Sequence, residues 1–558
     1  MNATSKPRRG SRRPILRAMM LLLILAGGLA LAEFMLWGWH YGRPTGFLEP
    51  LHTKGAQRYS ENIHFHRAYQ SGIWPTPEDP FIDLVMPKPP GTFRIFLFGG
   101  SAAMGYPPGS ASGLPRMLEV QLEAAFDGMR FEVHNGAFPG MNSHAIREAA
   151  RECAAYAPDL FIVYTGLEEV FGAHDLLTGG DSFFDRPGWV PWRVWLKRRQ
   201  LTQLVAQLRG TDAAPGAPTP VVLELPATDA PAWGLMAQTL EDNLAAVARA
   251  AEVAGAGVLL CTVPFEAASG ESPPYARVLA ATNEAVRRMA GQHDGVTLVD
   301  LAEVLSGAPA GDSNFYDGVH PRTPAIHRMA ANLAEETGKQ LGRDFIPEKR
   351  LTLEQAQAAL GITPAVAQMH LVTMRRAITE LGPVQGLDVT GTAGRLDAGI
   401  AALDREAGLS AADLTAQLQA ALQARPNDYF LNRQLAEALH AQGNTAGARD
   451  VLEGLIQRYP GRAALHGDMA LLHRSEENHA AALGALRAGL AADRWNAEVY
   501  WLLGMTLLDV QPAEAAPSFA RGLALLPRGP EIPGSLDALR ERLEAGLEKA
   551  RQAAGEPS

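Results

Sequence analysis

The run Thr92-Phe93-Arg94-Ile95-Phe96-Leu97-Phe98 stops abruptly at Gly99-Gly100-Ser101, and a helical pattern follows over residues 114–126. The apolar run reads as a buried β-strand, and the two glycines permit a sharp turn with close backbone approach. A chain that leaves a buried strand through a tight corner into a helix builds a parallel α/β sheet. Such sheets take their ligands at the carboxyl ends of the strands. Ser101 is therefore a candidate nucleophile, although small-residue turns also follow strands that carry no chemistry.

The same β-then-α rhythm continues. Short apolar strands are expected at 93–98, 131–134, 160–165, 257–263 and 297–299, with helices at 145–156, 235–254 and 275–292. This alternation predicts a doubly wound parallel sheet. At 558 residues the chain exceeds what one core supports, so at least two domains are expected. A net charge of −10 speaks against nucleic-acid binding. Cys153 and Cys261 are the only cysteines and read as small buried hydrophobes. No metal-ligand spacing occurs, so neither metal nor cofactor is expected.

The N-terminus is segregated by charge. Lys6, Arg8, Arg9, Arg12, Arg13 and Arg17 occupy residues 1–17, whereas Glu33 is the only charge in residues 18–39. Those 22 residues suffice to cross a hydrocarbon core of about 30 Å. The basic flank stays cytoplasmic, which predicts a single-pass inner-membrane protein with everything after Trp39 in the periplasm. A signal peptide cut after Ala30-Leu31-Ala32 is the alternative.

Residues 40–91, rich in Pro, Gly and aromatics, read as a spacer whose end wraps onto the first domain. Residues 171–233 interrupt the α/β rhythm as an insertion. There Trp189, Trp192 and Trp195 stand beside Arg193, Lys197, Arg198 and Arg199. The preferred reading is a helix packing its tryptophans on the sheet with its charges solvated. A membrane-interface helix or a lid over the site is the other.

Beyond residue 350 the pattern is helical throughout. Leu435-Ala436, Met469-Ala470 and Leu503-Gly504 recur every 34 residues, as do Ala448 and Ala482. Units at 427–460, 461–494 and 495–527 resemble tetratricopeptide repeats, with degenerate repeats over 350–426 and a capping helix and tail over 528–558. Such repeats imply a protein partner, a rigid spacer or dimer contact being the alternative.

A serine nucleophile needs a base and a group that orients it. In Phe315-Tyr316-Asp317-Gly318-Val319-His320-Pro321, Asp317 and His320 are three residues apart in a loop after the last strand. With them, Gly99-Gly100-Ser101, Asn135-Gly136-Ala137-Phe138-Pro139-Gly140, Gly166-Leu167-Glu168-Glu169 and Asp317-Gly318-Val319-His320 stand in the order of the four blocks of the SGNH/GDSL hydrolase superfamily. Residues 92–345 resemble that family. The resemblance implies a flavodoxin-like three-layer α/β sandwich and metal-free esterase, lipase, deacetylase or acyltransferase chemistry. It further implies Ser101 as nucleophile, His320 as base and Asp317 as orienting acid. The oxyanion would be held by the N–H groups of Ser101 and Gly140 and by a side chain from the third block.

Two positions depart from the family pattern. The usual aspartate before the serine is Gly100, and the usual asparagine of the third block is Glu168. An ionised glutamate only accepts hydrogen bonds, whereas a protonated one donates an O–H. Asn142 is a further candidate donor. The expected function is hydrolysis or transfer of an acyl ester on an envelope glycan or lipid. The alternative is a catalytically impaired scaffold that recruits partners through its repeats. His64 and His66 read as loop residues, His144 as pocket lining or a helix start, and Arg322 as a partner of an anionic substrate or of Asp317.

Overall fold

The computed structural model describes residues 13–554, apart from residues 40, 52–56, 63, 66–68, 70–81, 107–108, 171–186, 210–224, 226, 228–229, 267–273, 307–313, 386–388, 407–409 and 527–533. Lys6, Arg8, Arg9, Arg12, His66 and much of the 171–233 insertion lie outside the described residues.

The described residues open with helix α1 (Arg13–Gly38) and a small antiparallel sheet of β1 (Leu48–Leu51), β2 (Gln57–Glu61) and β3 (Leu84–Met86). Next come β4 (Thr92–Gly99), α2 (Ser101–Met104), α3 (Leu114–Ala125), β5 (Arg130–Asn135), α4 (Ser143–Cys153) and β6 (Leu160–Tyr164). The insertion contributes α5 (Val190–Lys197) and α6 (Gln200–Leu208) before α7 (Pro231–Ala254) and β7 (Gly257–Cys261). The unit closes with α8 (Pro274–Ala290), β8 (Val296–Val299), α9 (Leu301–Ser306) and α10 (Thr323–Gln340).

Strands β4 to β8 form one sheet in the order β5-β4-β6-β7-β8, every pairing parallel. Counted from β4 this is the 2-1-3-4-5 order of flavodoxin-like sheets. The expected fold class is the one that forms. Side chains on a strand alternate between faces, and both faces here are covered. Ile95 and Leu97 of β4, with Leu160 and Ile162 of β6, enter a core closed by α3 and α10. Phe96, Phe98, Phe161 and Val163 enter the opposite core, under α4, α7 and α8.

The stretch read as a spacer is more than that. Phe47, Leu48, Phe65, Tyr69, Ile82 and Leu84 are buried and belong to this second core. Arg94, wholly buried, joins the two sheets. It donates to Glu132 at 2.9 Å and to the carbonyls of Tyr156 (2.7 Å) and Val85 (2.9 Å). Removing one partner of a buried pair strands the other's charge, at a cost of about 3–5 kcal/mol. Arg94→Ala should therefore lower the unfolding midpoint sharply in a denaturant titration. A shift no larger than that of a surface Arg→Ala change would refute this role.

The remainder of the described chain is helical: α11 (Leu353–Ala359), α12 (Pro364–Gln385), α13 (Val389–Glu406), α14 (Ala411–Ala424), α15 (Tyr429–Ala441), α16 (Thr445–Arg458), α17 (Ala463–Ser475), α18 (His479–Ala492), α19 (Ala497–Val510), α20 (Ala515–Leu525) and α21 (Gly534–Ala554). Its local cause is visible in the caps. Asn444 and Asn478 each stand one residue before a helix and accept a backbone N–H three residues on, fixing the start of α16 and α18. Small residues sit where the helices approach: a Cβ at Gly504 would come within 2.6 Å of the Phe519 ring.

The helical part docks on the α/β part through charge. Arg116 pairs with Asp428, Arg425 with Glu119 and, at 2.6 Å, with Glu123, while Arg462 bonds Glu61 at 2.6 Å. His64, read as a loop residue, is buried in this contact, 3.6 Å from Asp493. A cavity of about 320 Å³ lies here, lined by Arg116, Glu119, Arg425 and Asp428 among others. None of Ser101, Glu168, Asp317 or His320 lines it.

Candidate active site

Strand β4 lies between β5 and β6, where the sheet order reverses, so the loops after β4 and β6 diverge to opposite sides. That crevice is where open α/β sheets bind ligands. Ser101 stands on its floor as the first residue of α2, directly after Gly100.

Three of the expected site residues meet there. Ser101 Oγ lies 2.8 Å from His320 Nε2, and His320 Nδ1 lies 2.6 Å from Asp317 Oδ2. The other Asp317 oxygen accepts the N–H groups of His320 (2.8 Å) and Val319 (3.0 Å), so the carboxylate also ties its own loop. Gly318 turns that loop at φ +99°, a conformation that favours glycine. Tyr316 N–H bonds the His320 carbonyl at 2.9 Å, and the Tyr106 ring stands edge-on to the imidazole with centroids 5.2 Å apart. The imidazole is thereby held from both its polar and its apolar sides.

The charges follow from this arrangement. Burial alone raises the Asp317 carboxyl, but His320 and the two N–H donors outweigh it and hold it below the usual carboxylate range. Burial disfavours the His320 cation, yet Asp317 and, more weakly, Glu168 raise its pKa above the ordinary imidazole value. A serine on the distal nitrogen and a carboxylate on the proximal one make this a chain able to move a proton from hydroxyl to imidazole.

Glu168 is 8% exposed, and its carboxyl lies directly over Gly100. A Cβ at position 100 would fall 1.5 Å from Glu168 Oε1. The two departures from the family pattern are thus one packing solution: the glycine vacates the space that the longer acid occupies. Burial raises the Glu168 pKa above the usual carboxyl value, although the backbone N–H groups of Glu168, Gly166 and Ser101 and the His320 ring favour the ionised form. Gly100→Ala should overpack this contact at a cost of about 1–3 kcal/mol. Glu168→Ala in the same chain should restore most of that loss in thermal melts. An equal loss in single and double variants would disprove the pairing.

The remaining expected residues are placed as follows. Gly140 turns at φ +73° in the loop between β5 and α4, and Asn142 is the buried N-cap residue of α4. His144 is buried in the first turn of α4, 3.1 Å from Asn243 Nδ2, and burial pulls its pKa down to about 4. It is a helix-start residue. Arg322 precedes α10, and its N–H bonds the Asn314 carbonyl at 2.8 Å.

One residue of the third block had no role assigned from the sequence. Glu169 accepts from Ser143 N–H at 2.7 Å and from Ser143 Oγ at 2.9 Å, and Asn243 donates to that hydroxyl at 2.9 Å. This network pins the loop after β6 to the start of α4, holding Glu168 beside Ser101. Its only sequence signal was the place of Glu169 as the last residue of the third block.

Residues 97–328 match the model of the GDSL-like lipase/acylhydrolase family. The α/β unit is of SGNH type. Among solved structures, the chain is similar to the lipase/acylhydrolase from Enterococcus faecalis at 17% identity, covering 44% of this chain and 96% of that one, with a TM-score of 0.29. TesA matches at 18% identity over 44% of this chain and 99% of its own, TM-score 0.27. MamA 41-end from Desulfovibrio magneticus RS-1 matches at 19% identity over 26% and 85%, TM-score 0.20. No curated protein matches the chain.

Proposed function

We propose that this chain is a membrane-anchored, extracytoplasmic serine esterase or acyltransferase acting on an acyl ester of an envelope glycan or lipid. The observation that carries the reading is the unbroken hydrogen-bonded line from Ser101 Oγ through His320 to Asp317. A domain matching the GDSL-like lipase/acylhydrolase family supports ester chemistry in general. The helix Arg17–Gly38, with a mean hydropathy of 2.3, is long and apolar enough to cross a membrane and supports the anchor.

In this reading Ser101 Oγ attacks the ester carbonyl carbon while His320 Nε2 takes the hydroxyl proton. Asp317 holds the ring and offsets the imidazolium charge. The tetrahedral oxyanion is met by the N–H groups of Ser101 and Gly140 and by the O–H of neutral Glu168. Collapse breaks the ester C–O bond, and the leaving alcohol takes the proton from His320. Water or an acceptor hydroxyl then releases the acyl group from Ser101, again with His320 as base. Hydrolysis and transfer differ only in that second nucleophile. The 34-residue helical units, which resemble tetratricopeptide repeats, recruit a protein partner.

A second reading, an impaired scaffold, draws on the Glu168 carboxyl beside the Ser101 N–H that an oxyanion would need. A fluorophosphonate probe separates the two. The enzyme predicts labelling of the wild type but not of Ser101→Ala, and equal labelling overturns it. For topology, an alkaline-phosphatase fusion after Trp39 should be active in a bacterial host. An inactive fusion would exclude export.

A further inference from the structure

The insertion helices do not sit as the sequence suggested. On α5 it is Val190 and Val194, one helical turn apart, that enter the core of the α/β domain, while Trp192 and Trp195 are 50% and 51% exposed. Arg199 lies over the Trp195 ring at 4.8 Å, and Lys197 is exposed beside it. On α6, Leu208 is 78% exposed. Solvent-facing tryptophans with adjacent cationic side chains are costly in water and favourable in a lipid headgroup layer.

Helix α6 is attached to α1 and to the residues that follow α1. The Glu33 carboxylate accepts the N–H of Gln200 at 3.0 Å and of Leu201 at 2.8 Å, satisfying two orphan donors at the start of α6. Arg43 N–H bonds Gln203 Oε1 at 2.8 Å, Arg198 Nε donates to the Thr45 carbonyl at 2.9 Å, and Tyr41 bonds Gln207. Glu33 precedes the end of α1 at Gly38 by five residues, which is about 7–8 Å along the helix axis. An acidic side chain inside a span needs a polar partner at its own depth. Here the start of α6 is that partner, which sets α6 at the level of the last turns of the span, where Trp37 and Trp39 are also exposed.

We propose that α5 and α6 form a membrane-interface platform, embedded in the headgroup layer around the C-terminal end of α1. It lays the α/β domain on the bilayer in one orientation rather than leaving it on a free tether. The occupant of the Trp192/Trp195 face is the lipid of that leaflet. This rests on α1 being a membrane span, as read under Proposed function.

The test uses the full chain in nanodiscs of phosphatidylethanolamine and phosphatidylglycerol, with an environment-sensitive fluorophore on single introduced cysteines. Cys153 and Cys261 are buried, which favours selective labelling of the introduced site. Probes are placed at Trp195→Cys, at Leu25→Cys within α1, and at Val253→Cys, which is 88% exposed on α7. The expected result is a blue-shifted Trp195→Cys probe, quenched most by a shallow nitroxide lipid. Leu25→Cys should be quenched most by a deep nitroxide, and Val253→Cys by neither. If Leu25→Cys is quenched and Trp195→Cys is not, the platform is wrong and the anchor stands. A blue-shifted but unquenched Trp195→Cys would mean protein contact, for instance with a second copy, and would overturn the proposal. Quenching of Val253→Cys to the same degree would mean non-specific adsorption and would overturn it too. If neither Leu25→Cys nor Trp195→Cys is quenched, the anchor reading itself fails.

Discussion

Ser101→Ala should reduce kcat/KM toward p-nitrophenyl acetate by roughly 10⁴- to 10⁶-fold, the range expected when a serine nucleophile is removed from an intact triad. The fold should survive, because Ser101 is half-buried and its hydroxyl bonds the His320 ring. An unchanged melting temperature would therefore assign the loss to chemistry. His320→Ala should cost a similar factor, and the double variant little more, since groups acting as one unit are not additive. Wild-type hydrolysis within tenfold of Ser101→Ala would sink the esterase reading and leave the scaffold.

Glu168→Gln should raise kcat/KM at alkaline pH by roughly 10²- to 10³-fold, the value of one oxyanion donor. The proposed chemistry requires Glu168 to be protonated and His320 to be neutral. Burial raises the Glu168 pKa, so its donor form persists above the ordinary carboxyl range and is lost as pH rises through that raised value. Once ionised, Glu168 also favours the protonated form of His320, because its negative charge raises the imidazole pKa. Ionisation of Glu168 closes the active window on the alkaline side, and protonation of His320 closes it on the acid side. Glutamine offers N–H at every pH and carries no charge. The alkaline limb of the profile should vanish, while the acid limb, where Glu168 is already neutral, should stay in place. Glu168→Ala should lose the alkaline limb likewise but lower the plateau, because no donor remains. Identical pH profiles for all three proteins would remove Glu168 from the mechanism.

How far the sequence could be read depended on the range of the interaction involved. The strands were legible because Ile95 to Phe98 and Leu160 to Val163 are apolar on both faces, which only a sheet covered on both sides requires. The corner serine and the Asp317/His320 loop were legible because each is a local motif beside a strand end. The small sheet within residues 48–86 was not, since its strands are three to five residues long and carry no sustained alternation. The tryptophan helix was misread for a related reason. Val190 and Val194 compete with Trp192 and Trp195 for the buried face, and composition favours the larger rings. In the structure the valines take the buried face, and the next helix starts on Glu33, more than 160 positions earlier in the chain.

By itself, the sequence determined the parallel α/β class, the 34-residue helical period and the identity of the candidate nucleophile, base and orienting acid. These are written in short-range pattern: alternation along a strand, caps and small residues along helices, and tight loops after strands. Only the tertiary structure decided that Gly100 and Glu168 share one space, that Glu169 locks the loop beside Ser101, and that Glu33 carries the start of α6. Each joins positions far apart in the chain, and burial and charge act through distance in space, which the order of residues does not record.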